Sequence, residues 1–199
     1  MSKQAFVVGI DEVGRGPLAG PITVAAFGMP ANIFDRQKTL LKGIRDSKRL
    51  SAKQRERWYL TLAKNGAFTW ATASVDQKII DKKGIAVAAR LAVALVIKRL
   101  TNKYKKHVQI KFEMIYLDGS LYAPDNFNQK TVIKGDEKIP IISAASIMAK
   151  VTRDRLMVKY SLMWPKYGFD RHKGYGTRAH YSVIKKFGLL RIHRKSFIK

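Results

Sequence analysis

The stretch that decides the fold is Ala5-Phe6-Val7-Val8-Gly9-Ile10-Asp11-Glu12-Val13-Gly14-Arg15-Gly16-Pro17-Leu18-Ala19-Gly20-Pro21, running on into Ile22-Thr23-Val24-Ala25-Ala26-Phe27-Gly28. Ala5 to Ile10 is a short apolar run suited to a buried strand, and it ends on two carboxylates. A Gly/Pro-rich turn from Gly14 to Pro21 leads to a second strand-like run, Ile22 to Gly28. A dinucleotide fingerprint is formally present: Gly14-Arg15-Gly16-Pro17-Leu18-Ala19 fits G-x-G-x-x-A, with Asp35 about 20 residues on. That motif needs a helix to begin at the glycines. Pro17 and Pro21 bracket the segment and a β-branched run follows it, so the dinucleotide reading is rejected.

Outward from this block, residues 30–50 read as a basic surface loop. Ser51 is an N-cap for a helix over Ala52 to Lys64. Phe68 to Val75 and Phe112 to Leu117 read as strands, the latter closed by Asp118-Gly119. A helix is expected from Ile85 to about Lys103, with Lys and Arg in its last turn. Val132-Ile133 and Ile139 to Ile142 flank a basic turn that carries Asp136. Ser143 to Tyr160 reads as a helix with small residues on one side. A Gly- and aromatic-rich loop follows Pro165, and a last helix spans about Arg178 to Phe187. No repeat, low-complexity tract or linker divides the chain, so one α/β domain over 1–199 is expected, with about 165–199 as a small helical extension.

Composition narrows the partners. With 39 Lys plus Arg against 14 Asp plus Glu, the formal net charge is +25 and the sequence pI is about 10.4. Such a chain favours a polyanion, nucleic acid foremost, because phosphate contacts release counterions. Charge alone does not imply catalysis. The absence of cysteine excludes disulfides, thiolate metal sites and thiol chemistry. The apolar stretch Ile85 to Leu100 is interrupted by Arg90 and Lys98 and is too short for a bilayer span. Met1-Ser2-Lys3-Gln4 has no signal-peptide layout, so a cytoplasmic address is expected.

In so basic a chain the placement of carboxylates is informative. Asp11 and Glu12 end one apolar strand, Asp118 ends another, and Asp136 follows Lys134-Gly135 at a third edge. In open α/β sheets, sites gather at the carboxyl ends of strands. Carboxylates converging there would repel one another unless a cation lay among them, and Mg²⁺ and Mn²⁺ take such oxygen ligands. Each residue alone could equally be a strand-end cap or a partner for a basic side chain. On spacing alone the two readings stand level.

Longer blocks resolve the choice. Gly9-Ile10-Asp11-Glu12-Val13-Gly14-Arg15-Gly16-Pro17-Leu18-Ala19-Gly20 resembles the opening block of the ribonuclease HII family. Asp46-Ser47-Lys48-Arg49-Leu50-Ser51 and Leu117-Asp118-Gly119 resemble its second and third. Lys134-Gly135-Asp136 with Ile142 to Asp154 resembles the fourth. Tyr167-Gly168-Phe169 with His172-Lys173-Gly174-Tyr175-Gly176-Thr177 resembles the fifth, and Arg194-Lys195-Ser196-Phe197 the family's end. The blocks keep family order from residue 9 to 197.

The resemblance implies a ribonuclease H-like mixed sheet flanked by helices, with a small C-terminal helical element. It implies two Mg²⁺ or Mn²⁺ ions held by Asp11, Glu12, Asp118 and Asp136, with Asp11 and Asp118 bridging them. It also implies hydrolysis 5′ of a ribonucleotide, in RNA–DNA hybrids and at single ribonucleotides in duplex DNA, leaving 3′-OH and 5′-phosphate ends. Excision of misplaced ribonucleotides and removal of RNA primers would follow. By the same resemblance Gly14, Arg15 and Gly16 read the 2′-OH, which only RNA offers, although a tight turn alone would also account for the glycines. Tyr175, otherwise a packing anchor, would lie on the sugar of the deoxynucleotide 3′ of the ribonucleotide. The family often has proline where this chain has Gly176, which leaves the pose of Tyr175 open. Ser47, Lys48, Lys150 and Arg153 are expected phosphate contacts, against the bland reading of solvated basic residues or helix partners. Asp154 is expected to be structural. His107, His172, His180 and His193 lack metal-ligand spacing and receive no catalytic role. A monomer is expected, and no membrane partner. Two rivals remain. A non-catalytic RNA- or ribosome-binding protein accounts for the charge but not for the strand-edge carboxylates. Ribonuclease HIII usually lacks the Gly-Arg-Gly form, and a first strand at about Ala5 leaves no space for its extra N-terminal domain.

Overall fold

The computed structural model describes residues 3–103 and 109–198; Met1, Ser2, His107 and Lys199 lie outside the described residues. The strands are β1 (Lys3–Val13), β2 (Ile22–Pro30), β3 (Thr69–Val75), β4 (Gln109–Asp118) and β5 (Gln129–Val132). The helices are α1 (Gln37–Leu40), α2 (Ala52–Lys64), α3 (Gln77–Lys83), α4 (Ile85–Asn102), α5 (Gly135–Lys138), α6 (Pro140–Met163), α7 (Phe169–His172) and α8 (Arg178–Phe187). The strands form one mixed sheet in the order β3-β2-β1-β4-β5. β1, β2 and β3 pair antiparallel, while β4 lies parallel to β1 and β5 parallel to β4.

Alternation along β1 assigns its side chains to two cores. Phe6, Val8 and Ile10 join Ile22, Val24 and Leu117 beneath the Ala88, Ala92 and Val96 face of α4. Val7 joins Ala25, Phe27 and Met29 beneath Ile141, Ala145 and Met148 of α6. Gly9 sets the close approach on the second face, since a Cβ there would stand 2.4 Å from the Ile141 carbonyl oxygen. The small residues of α6 permit the same approach from the helix side. None of the described helices is long and apolar enough to cross a membrane.

The boundaries of α2 and α8 match the sequence expectation, and both carry side-chain caps from Ser51 and Thr177. Ser51 forms a full capping box with Gln54, which contributes about 1 kcal/mol to the helix start. Three expectations need correction. Residues 30–50 are not simply a surface loop: they form a 3-10 turn, Ala31–Arg36, then α1 and a second 3-10 turn, Ser47–Arg49. Leu41 is buried there and Phe34 stacks on Tyr116. Elements of three to six residues carry too little periodicity to be recognised by pattern. Secondly, α3 was not anticipated, although Asp76 caps it by accepting from the Ile79 amide. Thirdly, Ile141 and Ile142 are not in a strand flank; Pro140 at the first helical position starts α6.

Residues after 164 pack back on the body. Tyr167, Phe169 and Ile192 form a small core with Ala19 and Met157, and Ala19 makes an isolated antiparallel bridge to His193. The Gly14–Pro21 turn is thereby held between the end of α6 and the chain terminus.

Candidate metal centre

The parallel register of β1 and β4 sets Ile10 beside Leu117, so the next residues, Asp11 and Asp118, emerge side by side at the carboxyl ends of adjacent strands. β5 continues the sheet beside β4 and delivers Asp136 on α5. One carboxylate oxygen from each of Asp11, Asp118 and Asp136 lies within 4.8 Å of the others. Asp118 is fixed from α5: its Oδ1 accepts the Gly135 amide at 2.6 Å and the Asp136 amide at 3.3 Å. Asp11 accepts the Glu12 amide at 2.7 Å.

Glu12 stands apart from the close trio. Its Oε1 meets Arg15 Nη1 at 3.3 Å, while its Oε2 is buried with no hydrogen-bond partner. An orphaned buried carboxylate oxygen is costly unless something positive completes it. Burial is the main cause raising the Asp11 carboxyl well above the usual carboxylate range, and Glu12 and Asp118 add repulsion. Burial likewise raises Glu12, with Arg15 opposing. Asp136 is raised by burial and by Asp118, with Lys48 opposing. Crowded oxygens, raised proton affinity and one orphaned oxygen fit a hard divalent cation better than internal ion pairing.

The other predicted residues are placed as follows. Gly14, Arg15 and Gly16 follow Glu12 in the turn: Gly14 is buried, Arg15 half-buried and Gly16 exposed, and a Cβ at Gly16 would meet nothing within 4 Å. Lys48 is exposed, with Nζ 3.4 Å from Asp136 Oδ2. Tyr175 is 41% exposed, and its neighbour Gly174 accepts the Leu18 amide at 2.8 Å, which ties its loop to the glycine turn. Lys150 is half-buried and held by Asp154 at 2.9 Å.

Two expected phosphate contacts do not fit. Arg153 has no exposed surface and donates to the carbonyls of Ala19, Pro21 and Lys173. Ser47 is buried as well, its hydroxyl 2.9 Å from that of Ser146. The Ser146 hydroxyl lowers the proton affinity of the Asp11 carboxyl, so the Ser47–Ser146 pair stands behind the site. Sequence reasoning missed Ser146, which stood on the small-residue side of α6, and the role of Arg194. A buried arginine carries no local signal in a chain with 39 basic residues.

The chain matches the family model described as Ribonuclease HII over residues 8–199. It is 41% identical over 194 residues to the ribonuclease HII of Caldicellulosiruptor bescii, covering 98% of this chain and 87% of that one. Among solved structures, it is similar to ribonuclease HII in a complex with PCNA from Archaeoglobus fulgidus. The TM-score there is 0.75 at 26% identity, over 98% of this chain and 96% of that one. It is also similar to the ribonuclease H2 of Pyrococcus horikoshii, with a TM-score of 0.73 at 26% identity over 96% and 93%.

Proposed function

The chain belongs to the ribonuclease HII family, and from that premise we propose that it is a metal-dependent endonuclease cutting 5′ of ribonucleotides in RNA–DNA hybrids and at single ribonucleotides in duplex DNA. The observation that carries the proposal is the trio of Asp11, Asp118 and Asp136, its oxygens within 4.8 Å of one another, beside the orphaned Oε2 of Glu12. These four carboxylates would hold the Mg²⁺ or Mn²⁺ ions. When bound, such ions activate the attacking water and stabilise the leaving 3′ oxygen. Because the carboxyls hold protons more tightly than usual, cation binding displaces protons and strengthens as pH rises.

The chain's own residues supply the rest. Arg15, beside Glu12, clamps a neighbouring phosphate, and the exposed peptide at Gly16 approaches the ribose closely. Tyr175 packs on the sugar 3′ of the ribonucleotide. Lys48 positions the backbone without reading sequence. Products carry 3′-OH and 5′-phosphate ends, and no covalent intermediate forms. The setting is a cytoplasmic monomer that opens ribonucleotide excision and removes RNA primers.

The test is Mg²⁺- or Mn²⁺-dependent cleavage of a labelled DNA duplex with one ribonucleotide. An all-DNA duplex, a uniform hybrid and the Asp11→Asn protein run beside it. The expected result is one nick 5′ of the ribonucleotide, absent in the variant, whose duplex binding is nearly unchanged. Cleavage of the hybrid alone would remove the roles given to Tyr175 and the glycine turn. No cleavage with either ion would overturn the proposal in favour of a binding protein.

A further inference from the structure

Arg153 and Arg194 are both without exposed surface, and among the described residues neither has a carboxylate within ion-pair distance. Buried charges are ordinarily paired with an opposite charge. These two instead use all three guanidinium nitrogens on backbone carbonyls. Arg153 donates from Nε to Pro21, from Nη1 to Lys173 and from Nη2 to Ala19, each at 3.0 Å. Arg194 donates from Nε to Gly20 at 2.9 Å, from Nη1 to Arg15 at 2.8 Å and from Nη2 to Gly14 at 2.6 Å. Five of the six acceptors belong to the turn 14–21, gripped from α6 on one side and from the chain terminus on the other. Gly14 has φ +93°, and a Cβ there would stand 2.4 Å from Arg153 Nε; the turn lies directly on the guanidinium.

The consequence follows from peptide geometry. In a trans peptide the C=O and the following N–H point in opposite directions. The carbonyls of Gly14 and Arg15 are turned inward to Arg194, so the amides of Arg15 and Gly16 are turned outward. Neither amide donates a hydrogen bond among the described residues, and the space around Gly16 is open. Flipping either peptide would strand a buried guanidinium N–H. Arg153 also holds the Lys173 carbonyl, two residues before Tyr175, so one clamp spans both elements that face the sugar.

We infer that Arg153 and Arg194 are positioning residues that set ribonucleotide specificity, by locking the Arg15 and Gly16 amides outward as paired donors to a ribose hydroxyl. This rests on the proposed function. A planar guanidinium fork can hold three carbonyls at once, which a lysine ammonium on a flexible stem cannot reproduce. The charge is kept at neutral pH even so: burial, then repulsion from Arg153, lowers the Arg194 guanidinium to about 9.

The test uses Arg194→Lys and Arg153→Lys, each also placed in an Asp11→Asn background for binding. Fluorescence anisotropy compares a duplex containing one ribonucleotide with the same duplex all in DNA. Both variants are expected to fold and to keep the all-DNA affinity. The Mn²⁺ midpoint for cleavage in the otherwise native chain should also hold. The affinity ratio for the ribonucleotide duplex should shrink by about 10–100-fold, the weight of one or two lost hydrogen bonds. A general structural defect would instead lower both affinities together. A ratio within twofold of the native one in both variants overturns the inference, as would failure of both to fold. Equal affinity of the native-turn protein for the two duplexes, with no cleavage, refutes the proposed function itself.

Discussion

Replacing Asp11 by asparagine should make the metal-free protein more stable while destroying its activity. The ligand oxygens of Asp11, Asp118 and Asp136 lie within 4.8 Å of one another. At that separation, with an effective dielectric of about 20, Coulomb's law gives about 3.5 kcal/mol of repulsion for one pair of carboxylates. Protonation already relieves part of this, because burial and the neighbouring Glu12 and Asp118 raise the Asp11 carboxyl. Asparagine keeps an oxygen to accept the Glu12 amide and removes only the charge. A net gain of about 1–3 kcal/mol follows, or roughly 3–10 °C in Tm for a chain of this length. The assay is thermal unfolding in EDTA at several pH values. A carboxyl with a raised folded pKa contributes stability below its ordinary range and loses it as pH rises through the raised value. The gap between variant and native protein should therefore widen from pH 5 to pH 7.5. Adding Mn²⁺ at about 100 times its Kd should stabilise the native protein by about 2.7 kcal/mol and the variant by much less. A variant that melts at or below the native protein in EDTA at pH 7.5 would refute the account of the site as mutually repelling carboxylates awaiting a cation.

Further outcomes are expected elsewhere. Gly9→Ala should destabilise the fold by about 1–3 kcal/mol or more, since its Cβ would stand 2.4 Å from the Ile141 carbonyl oxygen; the urea midpoint checks this. Lys48→Ala, removing an exposed cation beside Asp136, should flatten the log–log salt slope of duplex binding by about 0.9, read by anisotropy between 50 and 200 mM salt (about the usual working range). The histidines of the C-terminal segment should confer pH dependence. His180 Nδ1 donates to the Tyr175 carbonyl at 2.9 Å, which leaves its Nε2 bare to accept from His193 Nε2 at 3.1 Å, and His193 Nδ1 accepts the Leu190 amide at 2.8 Å. Burial lowers His180 to about 4, with His172 and His193 adding repulsion. Its contribution is complete above its ordinary value near 6.5 and fades as pH falls toward about 4. Hydrogen exchange, corrected for intrinsic rates, should show the α8 amides losing protection between pH 7 and pH 5, and His180→Phe should weaken that pH dependence, leaving the share of His172 and His193, whose imidazoles burial also lowers.

The sequence by itself indicated the α/β architecture and singled out the carboxylates of the candidate site. The apolar run Ala5 to Ile10 marked a buried strand, and Ser51 marked the start of α2 because capping is a local interaction. Asp11, Glu12, Asp118 and Asp136 stood out because carboxylates beside glycine at apolar strand edges are conspicuous in a chain of charge +25. Tertiary structure alone decided which of those residues meet. The parallel β1–β4 register brings Asp11 beside Asp118 across more than 100 residues of chain, and α5 adds Asp136 while Glu12 turns toward Arg15. It also divided the cations: Lys48 reaches solvent, while Arg153 and Arg194 are withdrawn to hold the glycine turn. Lysines and arginines look alike in a one-dimensional reading of so basic a chain. Burial and hydrogen-bond partners arise only when α6, the turn 14–21 and the C-terminal segment meet, and they separate an exposed cation from an internal clamp.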